Sequence, residues 1–524
     1  MSQDISRRSF LTAAGLAGMA AAGMGLAGCA PKGASAASDT AASGPTGAGG
    51  NVPASWDEEC DVLVLGAGGA GCAGALTAAR DGAKVIVLES QPNTITSSTA
   101  ICKGNFAVIG SDEQKALGIE DSSDQYVEDC LAWGNSDGFP VQSNREDMIR
   151  TFADNSAECQ QVLKELGLEF PDPYIATGNS VARVHVIDNA QMQQLLEQAA
   201  EEAGAEFMFN TEFTRLVHDA SGTVLGAIAK SGSKEIAVKA KKGVLLTTGG
   251  LCRNIELVEE CLPGLSEVEP RTAAGATGLG HLAAMELGGA MWGRNWLYVT
   301  EGWSPDGTAW SEMTSFGAIV VDREGSRFIN DGGSWSNKRT RALMDKGKHP
   351  EYDCYFNWYI SDQKVYDLAK ETGAPMGVYD KNEEYFIKAD TIEELAEQIG
   401  TPNLPATLEE YNANISSGND EFGRIYLNGA GTGDPFPLTQ PPYYAWASKP
   451  VLEYSPVTGF LMNGNCEILD QYEEPIGGGR LFAAGEIVLR SIVGNHFMIG
   501  SGIGTCTTLG MVIGHKAAAL DAWE

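Results

Sequence analysis

Apolar residues along this chain gather in short runs, and one run sets the pattern of its neighbours. Asp61-Val62-Leu63-Val64-Leu65 is nearly continuous in apolar character, the pattern of a strand buried on both faces of a parallel sheet. A glycine-rich turn, Gly66 to Gly71, comes next. Cys72–Asp81 then reads as an alanine-rich helix, and Lys84–Leu88 as a second apolar strand that ends in Glu89. The same kind of run recurs much later, at Lys241–Thr248 and at Leu481–Ala484. Gly317–Asn330 predicts a hairpin, and Gly500-Ser501-Gly502-Ile503-Gly504 opens a helix expected to reach Ala519. Two stretches break the pattern. The residues leading up to Gly28 are weakly apolar and rich in small side chains, unlike a stable membrane span. Pro31–Ser55 holds mostly Ala, Gly, Ser, Thr and Pro, a composition that forms no core and predicts a flexible tether.

The unit from Asp61 to Glu89 has the parts of a dinucleotide site. Gly66 allows the tight turn, Gly68 lets the backbone approach a pyrophosphate, Gly69 and Ala70 begin the helix, and Gly71 permits close helix–strand packing. The helix N-terminus faces the phosphates. Glu89, about 20 residues on, is placed to accept from a ribose hydroxyl. Glycines in this spacing are weak evidence alone and strong evidence inside strand–turn–helix–strand with a terminal acid. NAD and FAD both suit such a unit.

Composition narrows the classes. A chain of 524 residues is too long for one core and predicts two or three domains. The formal charge of −33 repels phosphate backbones, so nucleic acid is not an expected partner. Eleven cysteines include no Cys-x-x-Cys pair and no Cys-x-x-Cys-His haem site, and none of their spacings asks for a metal. The N-terminus carries an address. Ser6-Arg7-Arg8-Ser9-Phe10-Leu11 is a twin-arginine motif, and Leu26-Ala27-Gly28-Cys29 resembles a lipobox. Export in the folded state and lipid attachment at Cys29, on the outer face of the cytoplasmic membrane, are therefore expected.

Later segments choose between the dinucleotides. Thr248-Gly249-Gly250 follows the third apolar run, Gly485-Glu486 follows the fourth, and Ser501-Gly502-Ile503 begins the last helix. With these, the chain from about Cys60 to its C-terminus resembles the FAD-binding group of fumarate reductase and succinate dehydrogenase flavoproteins, which includes urocanate reductase and 3-ketosteroid Δ1-dehydrogenase. The resemblance implies an α/β fold, a Rossmann-type FAD-binding domain with an inserted α+β cap. The expected divisions are a signal over 1–29, a tether over 30–56, FAD-binding parts over 57–254 and 444–524, and a cap over 255–443. It implies that Ser97, Ser98, Thr99, Lys103 and Gly104 run along the pyrophosphate and isoalloxazine, with Lys103 standing where relatives have glycine. Phe213 is implied at the adenine, Glu486 at the ribityl or ribose hydroxyls, and Ser501, Gly502 and Ile503 at the pyrimidine edge. None of the six histidines lies between Glu89 and Asp121, so the FAD is expected to be non-covalent.

The same resemblance implies the chemistry: reduction of a C=C bond conjugated to a carbonyl, with a hydride from the flavin and a proton from a cap arginine. Arg339 and Arg341 lie in the corresponding region. Fumarate itself is not the expected substrate, because Tyr454 to Phe460 and Asn495-His496 stand where relatives hold dicarboxylate clamps. Tyr454 and His496 are further catalytic candidates. Trp292, Trp296, Tyr298, Trp303 and Trp335 in the cap suit a neutral, larger or aromatic substrate. Arg183 and His185 resemble a loop over the flavin. Alternatives are a ketosteroid-like dehydrogenase and a flavin electron carrier. Electrons are expected from a separate protein, such as a membrane cytochrome or a flavoprotein.

Overall fold

Strand β1 (Glu58–Leu65) is buried along its C-terminal half, as its apolar run requires. It feeds helix α1 (Gly69–Arg80), and the chain returns as β2 (Val85–Leu88), parallel to β1. The computed structural model describes residues 50–134, 144–261, 263–293, 298–311, 313–332, 337–350, 352–371, 384–427, 433–455 and 458–523. The signal, Cys29, Trp296 and Trp335 lie outside these residues, as do the side chains of Tyr298 and Arg339.

Next in the same sheet come β3 (Glu206–Met208), β4 (Thr211–His218), β5 (Val224–Ser231) and the long β6 (Lys234–Leu246). Their order across the sheet is β3-β2-β1-β6-β5-β4. One edge of β6 lies parallel to β1. Its other edge is shared: the first half pairs antiparallel with β5, and Val244–Leu246 pairs parallel with a late strand, Leu481–Ala483. The C-terminal ends of β1, β2, β6 and that late strand therefore meet on one side of the sheet. Ligands of open α/β sheets bind there, because loops and helix N-termini converge.

The cap is an antiparallel sheet. Its strands are β7 (Tyr298–Trp303), β8 (Ile319–Val321), β9 (Asn357–Asp362), β10 (Phe386–Ala389) and β11 (Tyr443–Tyr454). β11 is the spine: its first half pairs with β9 and β10, and its second half with β7. The strand straddles the expected boundary at 443/444 and pairs throughout with cap strands. The expected hairpin closes through Asp322 N–H donating to the Ser326 carbonyl at 2.9 Å. Asp331 accepts from Arg327 Nε at 2.9 Å, and Arg327 also pairs with Asp420 at 2.6 Å. This pairing holds the cap together away from the cofactor edge.

After β12 (Leu481–Ala483) the chain ends in α2 (Ser501–Ala518). α1 and α2 touch backbone to backbone. A Cβ on Gly510 would stand 2.3 Å from the Ala70 carbonyl, and one on Gly514 would stand 2.4 Å from that of Gly74. Thr77 Oγ1 donates to the Met511 carbonyl at 3.0 Å across the crossing. The close approach brings the N-termini of both helices to the same edge of the sheet.

Candidate active site

A cavity of about 1180 Å³ runs from the Gly66–Gly68 turn, along the C-terminal edge of the sheet, to the cap. Its floor is the predicted turn. Gly66 adopts φ +98°, and a Cβ there would stand 2.7 Å from the Thr247 carbonyl. A Cβ on Gly71 would fall 1.9 Å from the Gly66 carbonyl, whereas one on Gly68 would meet nothing. Gly66 and Gly71 serve packing, and Gly68 leaves room for a ligand. Glu89 is held in place from beneath: Oε2 accepts from Ala67 N–H at 2.8 Å and Oε1 from Gln91 N–H at 2.8 Å.

The loop after β2 folds over the start of α1. Ser97 caps a short helix, Ser98–Ile101, and Thr99 Oγ1 accepts from Gly69 N–H at 3.1 Å. Gly104 takes φ +74° against the Ile187 carbonyl. Lys103 beside it extends into the cavity, and its Nζ lies 3.5 Å above the Trp310 ring of the cap. Phe213 and Glu212 line one end. Thr248, Gly249 and Gly250 line the middle, with Glu486 behind them. A Cβ on Gly250 would stand 2.3 Å from Glu486 Oε1. Burial raises the pKa of Glu486, and hydrogen bonds from the Ser455 N–H and hydroxyl oppose that rise.

At the start of α2, Gly502 and Ile503 line the cavity. Ser501 does not: its hydroxyl is buried and pairs with Tyr126 Oη at 3.0 Å. Gly71 is likewise taken up by packing. Tyr454 and His496 both line the chamber, Tyr454 edge-on to Phe497 and the His496 ring 6.0 Å from that of Trp133. Arg341 is elsewhere. It is exposed and donates to the Pro263 carbonyl at 3.2 Å. Arg183 and His185 are buried off the cavity. Arg183 is clamped by Asp121 at 2.9 Å and by Asp129, and His185 Nδ1 lies 2.6 Å from the Pro171 carbonyl. Burial lowers the pKa of His185, which suits a structural imidazole.

Sequence reasoning passed over several residues of the chamber's cap end. Arg271 stacks on Trp303 at 3.6 Å, and Glu453 accepts from Trp303 Nε1 at 2.9 Å and from Thr300 Oγ1 at 2.7 Å. Lys449 pairs with Glu269 close by. Only Trp303 carried a signal, as an aromatic in the cap. The others sit on segments with no motif.

Comparison with known proteins agrees with this geometry. The family model described as FAD binding domain matches residues 61–503. The chain belongs to this family. A probable fumarate reductase of Shewanella frigidimarina is 29% identical over 90% of this chain and 77% of its own length. The structure of an open conformation of a flavocytochrome c3 fumarate reductase superposes with a TM-score of 0.72 at 29% identity, covering 89% of this chain and 79% of the other. A 3-ketosteroid-Δ4-(5α)-dehydrogenase from Rhodococcus jostii superposes with a TM-score of 0.68 at 25% identity, covering 89% and 98%. The chain is an FAD-dependent oxidoreductase with the α/β fold that its sequence implied, and its relatives include reductases of C=C bonds. Its cofactor is FAD, and the glycine turn, Glu89 and the paired helix N-termini are chemically suited to hold it.

Proposed function

We propose that this protein reduces a carbon–carbon double bond conjugated to a carbonyl, with a substrate other than fumarate. The observation that carries the reading is the single chamber: the dinucleotide turn and the cap residues Trp303, Trp310, Arg271 and Glu453 line one continuous cavity. Bound FAD supplies the hydride. The chain supplies the binding surfaces and the proton. Glu453 at the cap end, whose two hydrogen-bond donors are neutral, disfavours the second carboxylate of a dicarboxylate by like-charge repulsion.

For the proton we favour Tyr454 over Arg341. A phenol carries its proton at neutral pH and gives it up at far lower cost than a guanidinium. Tyr454 lines the chamber, whereas Arg341 is tied to Pro263. Tyr454 also supports the second reading, in which the same site removes hydrogens from a ketosteroid-like ring. His496 lies alongside as a polar wall. FAD is held without a covalent bond on this reading. Cys506 lines the cavity, but desolvation pushes its thiol up, away from the thiolate form that attacks a flavin.

The twin-arginine motif and lipobox support export and a lipid anchor at Cys29. The test is anaerobic: reduce the flavin with viologen, then follow reoxidation by a panel of enoates, enones and quinones. Reoxidation by an enoate or enone, but not by fumarate, is expected. A flavin reoxidised by none of the enoates or enones would overturn the reading. Acid precipitation of the same sample is expected to release all the flavin into the supernatant.

A further inference from the structure

We propose that the cap end of the chamber is a subsite for a planar ring bearing an O–H or N–H hydrogen-bond donor, read by Glu453, so that the substrate is an aryl or heteroaryl enoate. The inference rests on the double-bond reductase reading and adds the class of substrate. Glu453 stands one residue before the end of β11, is half-buried, and faces the cavity. Its oxygens each accept one hydrogen bond, from Thr300 Oγ1 and from Trp303 Nε1. Both donors are neutral, and a carboxylate has about four acceptor sites. Two acceptor positions and the negative charge are thus left for a ligand. No ion pair to Glu453 occurs among the described residues: Lys449 pairs with Glu269, and Arg271 donates to the Gly307 carbonyl at 2.6 Å and lies over the face of Trp303.

The walls beside Glu453 suit a flat ring. Trp303 and Trp310 come from segments bridged to one another, and both line the chamber. Indole faces take planar groups by stacking; Arg271 lies over one face of Trp303 and Lys103 over one face of Trp310, so a ring meets the indoles at their remaining surface or takes the place of those cations. Lys103 starts in the cofactor loop and ends over Trp310, so it places a positive charge between the flavin half and the ring subsite. That is where the carboxylate of an enoate would lie if its ring sat against the indoles. A charge-assisted hydrogen bond from a phenol or ring N–H to Glu453 then fixes the ring end. An aliphatic dicarboxylate would instead present a second negative charge to Glu453.

The experiment uses the holoenzyme. Turnover is compared for 4-hydroxycinnamate, urocanate, cinnamate, 4-methoxycinnamate and fumarate, with viologen as reductant. In parallel, binding of 3-(4-hydroxyphenyl)propionate and of 3-phenylpropionate to the oxidised protein is measured by calorimetry. We expect at least one donor-bearing substrate to exceed cinnamate and 4-methoxycinnamate by tenfold or more in kcat/KM, and the hydroxylated propionate to bind at least tenfold tighter than its parent. The arms with phenol and imidazole tell which donor the subsite takes. Glu453→Gln, which can still accept from Trp303, should erase most of the ratio between the donor-bearing substrates and cinnamate, and between the two propionates. Equal turnover of hydroxycinnamate, urocanate and cinnamate by the wild type, with equal binding of the two propionates, would overturn the subsite and leave the reductase reading intact. Selective binding of the hydroxylated propionate with no turnover of any enoate would keep the subsite and overturn the reductase reading. If Glu453→Gln retained the full preference, Glu453 would not be the group that reads the donor.

Discussion

Tyr454 and Arg341 make opposite predictions. Tyr454→Phe removes the proton while keeping the ring against Phe497, so kcat should fall by about 10²-fold or more, the usual range for loss of a general acid, with flavin still bound. Arg341→Ala should leave kcat within about twofold. Stopped-flow reoxidation of the reduced enzyme separates the two, and a dead Arg341→Ala beside an active Tyr454→Phe would return proton delivery to the cap helix. His281 gives a prediction in stability. It is buried, neither ring nitrogen has a hydrogen-bond partner, and burial holds its pKa down to about 3 from the ordinary 6.5. The folded protein thus rejects a proton that the unfolded chain accepts. Its contribution is fully present above pH 6.5 and is lost as pH falls from there toward 3, by ~4 kcal/mol at the acid end. His281→Leu should therefore gain thermal stability relative to wild type as pH drops from about 7 to about 4. A pH-independent difference in Tm would contradict this account.

Contact between α1 and α2 sets the geometry of the cofactor edge, so it is the element pair to perturb. Gly514→Ala would put a methyl group 2.0 Å from Thr77 Oγ1 and 2.4 Å from the Gly74 carbonyl. Separating the helices should cost about 1–3 kcal/mol and weaken FAD retention, read by denaturant melts and by flavin loss on dialysis. Unchanged melts would mean that the crossing tolerates a wider gap. At this scale much is legible in the sequence. β1, α1 and β2 follow from an apolar run, a glycine turn and a terminal acid, and each of those signals is local. What the sequence could not show is partnership. Nothing local in Leu481–Ala483 says that it lies beside the end of β6, and nothing in Tyr443–Tyr454 says that it pairs with cap strands, because the choice of neighbour depends on contacts far apart in the chain. The same limit hid Arg271, Glu453 and Lys449. They are single polar residues on strands and loops, brought together only by the closed cap sheet. Arg341 had the right residue type near a recognisable motif, yet the helix carrying it turns that side chain to solvent.

For the whole molecule, the proposed anchor and the charge of −33 bear on where the protein works and with what. Cys29→Ala should shift the protein from the membrane fraction to the soluble envelope fraction with its activity intact. Retention in the membrane fraction would refute lipid attachment at that residue. An acidic surface also predicts that electron transfer from a basic redox partner slows as salt rises, since screening shortens the reach of steering. The long cap strand constrains how such an enzyme could change over evolutionary time. β11 pairs with β7, β9 and β10 along its length, then brings Glu453 and Tyr454 to the chamber and Ser455 to Glu486 in succession. Adding or removing one residue in that strand would slip all three at once and reverse its alternation of faces. New specificities can therefore arise by exchanging the side chain at position 453, while changes of length must be confined to the loops, leaving this strand as the fixed reading frame of the active site.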